Sequence, residues 1–237
     1  IVLGTLNTGL FFGLLFIAAF RLPGGIAGIF QALGPLFSIL LVWPLLSHRP
    51  TIMKILSLLV GIVGVVLVVL KGGTALDMMG VLAALGSAFS VALGGALVQK
   101  WGQPMSLSGF TAWQLIVAAT ELSVITLVLG DIPAGITAVN GLGLLIVALA
   151  LTSLPFYLWF KGIQAEGAAN VAPFFLLSPI VAFMLDAIVK GIVPTSMQLA
   201  GVALVIGGLI LNIYAARKTT AKAHVQQVEL PEQAVID

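Results

Sequence analysis

Residues 52–73 read IMKILSLLVGIVGVVLVVLKGG, and this stretch decides the fold. From Ile55 to Leu70 it carries no charged side chain, and Pro50-Thr51 and Lys71-Gly72-Gly73 bracket it. A helix over 52–70 would reach about 28 Å, close to the ~30 Å of a bilayer's hydrocarbon core. Continuous Leu, Val, Ile and Gly, without the period-two alternation of a barrel strand, make it a spanning helix.

Similar runs recur outward in both directions. They predict helices at 3–20, 24–46, 52–70, 78–99, 107–129, 140–161, 168–189 and 196–216. The connections are short and carry the punctuation: Leu22-Pro23-Gly24, His48-Arg49-Pro50-Thr51, Lys71-Gly72-Gly73, Gln103-Pro104, Asp131-Ile132-Pro133 and Gly191-Ile192-Val193-Pro194. Residues 217–237 are polar and mixed in charge, with too little apolar surface to fold alone, and read as a disordered cytoplasmic tail.

Composition agrees. Of 237 residues 60% are hydrophobic and 8% charged, with a mean hydropathy of +1.22, against about 25% charged in soluble domains. The surroundings of the chain are therefore lipid. The +2 formal charge is scattered singly between apolar runs, so nucleic acid has no basic patch to bind. With no cysteine, disulfides, thiolate metal sites and Cys nucleophiles are excluded. If the tail is cytoplasmic, Arg49, Lys54, Lys100, Lys161, Arg217, Lys218 and Lys222 share its side, against Arg21, Lys71 and Lys190 opposite. That asymmetry favours a cytoplasmic C-terminus.

Sliding the chain against itself by 144 residues aligns Phe12, Leu14 and Phe16 with Phe156, Leu158 and Phe160. The register persists: Phe30, Leu33 and Pro35 meet Phe174, Leu177 and Pro179; Pro50, Thr51 and Met53 meet Pro194, Thr195 and Met197; Ile62 and Gly64 meet Ile206 and Gly208. The first three helices thus map onto the sixth to eighth, and the repeating unit holds five. An odd unit crosses the bilayer in opposite senses, giving inverted repeats. The fold expected is an all-α polytopic transmembrane helical bundle of inverted five-helix repeats, with eight of ten helices present and two more before Ile1. Residues 1–72 would close the first repeat and 77–216 form the second.

The stretch from Phe20 to Leu70, with Gly24-Gly25-Ile26-Ala27, Leu33-Gly34-Pro35-Leu36-Phe37, Pro50-Thr51 and Gly61-Ile62-Val63-Gly64-Val65, resembles the end of an EamA domain of the drug/metabolite transporter superfamily. The second half repeats the pattern through Gly167-Ala168-Ala169, Leu177-Ser178-Pro179-Ile180-Val181, Pro194-Thr195, Leu199-Ala200-Gly201 and Gly207-Gly208. The resemblance implies a plasma-membrane (bacterial inner-membrane) secondary transporter, exporting a small organic metabolite or amino acid by alternating access, as monomer or homodimer. Protons are the coupling ion it admits, the small-molecule substrate and the lipid bilayer are the partners, and no cofactor is implied. The family often has a Glu shortly before the Pro-Thr position; His48 and Ile192 stand there instead, so no role for that Glu carries over.

Candidate site residues follow from what is costly in lipid. Glu121 lies mid-span, where an acidic side chain costs about 2.5–3.5 kcal/mol. It shares a helical face with Gln114, with Phe110 close by and Trp113 on the flank. The functional reading is a proton or cation site in a cavity wall; the alternative is a neutral packing residue. Gly24, Gly28, Gln31, Pro35 and Ser38 follow one face of the second helix, and Pro35 cannot donate to the carbonyl of Gln31. Its counterpart Pro179 frees the carbonyl of Phe175. Repeat-related helix breaks are the usual pointer to a transporter site, although proline also bends membrane helices merely for packing. The expected substrate-binding set is Gln31, Trp113, Gln114 and Glu121, with Pro35 and Pro179 as helix-break hinges. The Gly24/Gly28 and Ala168/Ala172 pairs read as packing seams, Asp186 and Lys190 as a local ion pair, and Trp43, Trp101, Tyr157, Trp159 and Tyr214 as interfacial anchors.

Neither histidine, His48 in a connection or His224 in the tail, pairs with Glu121 into a metal or acyl-transfer constellation, and no P-loop is present, so an enzyme is set aside. A non-transporting membrane scaffold or receptor and a solute uptake permease of the same fold stay as alternatives.

Overall fold

The computed structural model describes residues 1–22, 24–47, 49–69, 77–130, 135, 137–190 and 195–229. Pro23, His48, Lys71-Gly72-Gly73, Asp131-Ile132-Pro133, residues 191–194 and 230–237 lie outside them. So do the side chains of Pro179, Asp186 and Lys190, and with the last two the ion pair expected there.

In chain order the helices are α1 (Val2–Arg21), α2 (Gly24–Gln31), α3 (Gly34–Leu46), α4 (Ile52–Val69), α5 (Met78–Trp101), α6 (Leu107–Leu129), α7 (Ala138–Glu166), α8 (Ala168–Val171), α9 (Leu177–Lys190) and α10 (Ser196–Glu229), with a 3₁₀ turn at Ala172–Leu176 between α8 and α9. No strand occurs among the described residues. Five helices are long and apolar enough to cross a bilayer: α1, α5, α6, α7 and the Ser196–Ala215 part of α10. The chain is a multi-pass helical membrane protein.

The second predicted helix is two. It breaks at Ala32 and Leu33, where the amide of Leu33 falls back on the carbonyl of Phe30 at 3.1 Å, and restarts with Pro35 in the first turn of α3. Proline is tolerated there because the first-turn amides have no intrahelical acceptor. The counterpart segment behaves alike: the 3₁₀ turn Ala172–Leu176 precedes α9, and Pro179 is its third residue. The tail expected from residue 217 is helical as far as Glu229. Neither Gly nor Pro interrupts that stretch before Pro231, so nothing in it breaks a helix.

The described residues form two compact units. The first comprises Ile1–His48 and Leu70–Phe175. Its central helix is α5, which buries Gly80, Ala83, Ala84, Ser87, Ala88, Ser90, Gly94, Gly95 and Ala96 among others. Small side chains let neighbouring backbones close in, which supplies the packing that lipid cannot. Asp77 caps α5, accepting from the amides of Met79 at 2.8 Å and Gly80 at 3.2 Å. Phe160, Ile163, Phe110, Val42, Val98 and Ala168 make one core, and Ala18, Leu22, Ala27, Ala83 and Ala84 another. The rings of the repeat-related Phe12 and Phe156 touch, centroids 5.7 Å apart. Ile116, Val124, Ile125, Leu127 and Val128 of α6 point outward, as hydrocarbon solvent demands.

The second unit comprises Arg49–Val69 and Leu176–Asp237. Its spine is α4 against α10, an antiparallel pair: Gly64 faces Gly201 and Val205, while Gly208 faces Ser57 and Gly61. As one number rises the other falls, so these two helices, 144 residues apart, run in opposite senses. Asn212 donates from Nδ2 to the buried Ser57 hydroxyl at 3.0 Å, which in turn donates to the carbonyl of Lys54 at 2.8 Å.

Candidate functional site

The polar residues of α6 meet the first turns of α1, and a local irregularity shapes the meeting. Residues Thr5–Leu10 form a π-helical turn. A π turn bonds i to i+5, and such turns inside α-helices are frequent at functional sites. The widened turn opens the carbonyl of Leu6 to the hydroxyl of Ser90 on α5, at 2.7 Å. A second π turn occupies Val147–Ser153 of α7. Shifted by 144 residues the first would fall on 149–154, which overlaps the second.

Thr5 donates from Oγ1 to Oε1 of Glu121 at 2.6 Å. Seven residues earlier on α6, Oε1 of Gln114 accepts from Nδ2 of Asn7 at 2.8 Å. The Thr8 hydroxyl is shared between the carbonyls of Gly4, at 2.6 Å, and Gln114, at 2.9 Å. Asn7, Thr8 and Gln114 are buried, and Glu121 is half-buried. Glycines make the fit possible. A methyl group on Gly9 would collide with the Glu121 carboxylate, and one on Gly94 of α5 with the Asn7 side chain. Oδ1 of Asn7 and Nε2 of Gln114 are buried with no partner among the described residues, one acceptor and one donor on neighbouring amides.

The sequence therefore named two members of this seam, Gln114 and Glu121, and missed Thr5, Asn7 and Thr8. Their signal was present as three polar residues within four positions of an apolar span. Gln31, at the end of α2, meets α5 away from the seam, donating to Oγ of Ser87, which donates to the carbonyl of Ala84 at 3.0 Å. Trp113 is 58% exposed, turned by about 100° on α6 from the buried Gln114. The structure does not bring it to the seam.

A carboxyl beside a hydroxyl can take up and release a proton, and the two amides can bond a polar solute. No ionisable side chain occurs in residues 2–10, and the side chain there that bonds Glu121 is the Thr5 hydroxyl.

The sequence profile of the EamA-like transporter family matches residues 1–70 and 78–214, which include the whole seam. The chain belongs to this family. Protein PecM of Dickeya dadantii (strain 3937) is 32% identical over 223 residues, 92% of this EamA chain and 75% of PecM. A probable amino-acid metabolite efflux pump of Salmonella typhimurium (strain LT2) is 26% identical, covering 90% of this chain and 75% of the pump. A solved crystal structure shares the fold at a TM-score of 0.75 and 20% identity, over 91% of this chain and 77% of that one. These likenesses point to a transporter rather than an enzyme.

Proposed function

We propose that this EamA protein is a secondary transporter that exports a small organic metabolite or an amino acid across the plasma membrane by alternating access, with protons as coupling ion and the C-terminus in the cytoplasm. The observation that carries the reading is the seam between α1 and α6: a mid-span carboxyl seated on a hydroxyl, beside two amides with spare bonding capacity, at a π turn that recurs in the other repeat. Polar groups are costly in a bilayer and collect where solutes or ions pass. Gln114 and Asn7 bond the solute, Glu121 exchanges the proton, Gln31 lines its path along α5, and Pro35 and Pro179 mark the helix breaks that move. Export, rather than uptake, agrees with the name of the Salmonella pump.

The test is solute counterflow and pH-driven efflux from proteoliposomes holding the full-length protein, with a panel of amino acids and neutral metabolites. Loss of the pH dependence in Glu121→Gln, with transport by the wild type intact, supports the coupling role. Transport by a well-folded Glu121→Gln variant at the wild-type rate and pH profile removes Glu121 from the mechanism. No transport of any solute by the wild type favours the scaffold alternative.

A further inference from the structure

Ser90 bonds none of the side chains of the seam, yet it is only 2% exposed, midway along α5. A buried hydroxyl in a membrane helix usually bonds back to a carbonyl of its own helix. Ser87, one turn earlier, does so with Ala84 at 3.0 Å. Ser90 instead reaches another helix and donates to the carbonyl of Leu6 at 2.7 Å.

That carbonyl lies inside the π turn Thr5–Leu10. At the end of the turn the amide of Phe11 bonds the Thr8 carbonyl, which leaves the Leu6 carbonyl, five residues back, to be met from α5. The π turn of α7 is held differently, by its own Ser153 hydroxyl on the carbonyl of Ala148 at 2.7 Å. In α1 the turn's own Thr8 serves the carbonyl of Gly4, and the hydroxyl on Leu6 comes from outside. Of the two turns, the one beside Glu121 is bonded by a neighbouring helix.

The turn also carries both contacts of the carboxylate. Thr5, at its start, donates to Oε1 of Glu121 at 2.6 Å, and Gly9, near its end, lies against Oε2. Closing the ladder from i+5 to i+4 would take one residue out of the turn and rotate Thr5 against Gly9 by about 100°. The two ends could not then hold the carboxylate together. We propose that Ser90 is a positioning residue: by bonding the Leu6 carbonyl it keeps the π turn of α1 open, and so holds Thr5 against Glu121. It touches neither solute nor proton and acts through Thr5. Its effect on transport rests on the reading of Glu121 as the proton carrier, whereas its effect on the carboxylate does not.

The experiment uses the full-length protein in nanodiscs, with ¹³C at the glutamate side-chain carboxyls, and reads the Glu121 infrared band as the difference from Glu121→Gln on the same background. Thr5→Val sets the band position of a carboxyl without its hydroxyl. Ser90→Ala should bring the band to that position, and the two substitutions together should move it no further, because one acts through the other. Ser87→Ala, which also removes a buried hydroxyl from α5, should leave the band in place. Efflux by Ser90→Ala from proteoliposomes should fall about two- to tenfold, the worth of one hydrogen bond between neutral groups. A wild-type band in folded Ser90→Ala overturns the proposal, as does a double variant whose shift is the sum of the two. If Ser90→Ala melts early, Ser90→Cys, which keeps the size and donates only weakly, is read by the same criteria. A shifted band with no efflux of any solute by the wild type supports the positioning role and overturns transport. An unshifted band with Glu121-dependent efflux intact overturns the positioning role and leaves transport standing.

Discussion

Gly64 and Gly208, 144 residues apart, are pressed against one another's helices by contacts that exchange under the repeat. A Cβ on Gly64 would lie 2.6 Å from the carbonyl oxygen of Gly201 and 2.8 Å from the amide nitrogen of Val205; one on Gly208 would lie 2.7 Å from the carbonyl oxygen of Ser57 and 2.9 Å from the amide nitrogen of Gly61. Ser57 and Gly61 are the repeat counterparts of Gly201 and Val205. Apart from Cγ2 of Val205, also 2.8 Å from the Gly64 Cβ, each obstacle is backbone, so relief requires the helices to part. Gly64→Ala and Gly208→Ala should each destabilise the protein by about 1–3 kcal/mol, the usual cost of overpacking. Gly207→Ala is the control, because nothing lies within 4 Å of its added methyl. Thermal unfolding in detergent separates the three: two lowered midpoints and one unchanged.

The Asn7–Gln114 bond is buried on both sides, so removing one partner strands the other. Asn7→Leu or Gln114→Leu alone should cost about 1–3 kcal/mol, the penalty of an unsatisfied buried amide. The double variant should cost less than the sum, since no polar partner is then left without its mate. A strictly additive double-mutant cycle in unfolding free energy would show that the two amides do not interact.

At the membrane edge, Asp77 caps α5 and pairs with Arg21 at 3.0 Å. The hydrogen bond from Arg21, followed by that from the Gly80 amide, holds its carboxyl below the ordinary value of 3.8. A depressed folded-state pKa means the contribution is fully present above the unfolded value and lost as pH falls through the folded one. The wild-type melting midpoint should therefore drop as pH is taken from above 3.8 to below it. Asp77→Asn should lower the midpoint at neutral pH and show a smaller acid drop. A wild type and variant with parallel pH profiles would remove Asp77 from the acid response.

What was legible in the sequence was whatever the bilayer enforces one helix at a time. Run length placed α1, α4 and α6, Pro35 marked the break before α3, and the seven-residue step from Gln114 to Glu121 set one face of α6. Contacts between helices were not legible, because nothing in one span states which span faces it: Asn7 could not be assigned to Gln114 until α1 and α6 were seen side by side. The π turn at Thr5–Leu10 left no trace either, since one shifted ladder of backbone bonds does not alter an apolar pattern. The helix over 217–229 was passed over because apolar area, not propensity, was the criterion.

Gly9 and Glu121 offer the sharpest separation of structure from transport. A methyl on Gly9 would occupy the space of the Glu121 carboxylate, whose other oxygen accepts from Thr5 at 2.6 Å. Gly9→Ala should therefore unseat the carboxylate without changing any ionisable residue. Hydrogen bonds to charged groups are worth about 1.5–3 kcal/mol, which corresponds to roughly a ten- to hundredfold effect. Efflux by Gly9→Ala should fall within that range, and its pH profile should flatten toward that of Glu121→Gln. Thr5→Val, which removes the donor and keeps the shape, should move in the same direction by less. Gly143→Ala, with nothing within 4 Å of the new methyl, should transport as wild type. If Gly9→Ala retains both the wild-type rate and the wild-type pH profile while folded, the seat of Glu121 on Thr5 has no part in coupling, and the proton site must be sought elsewhere.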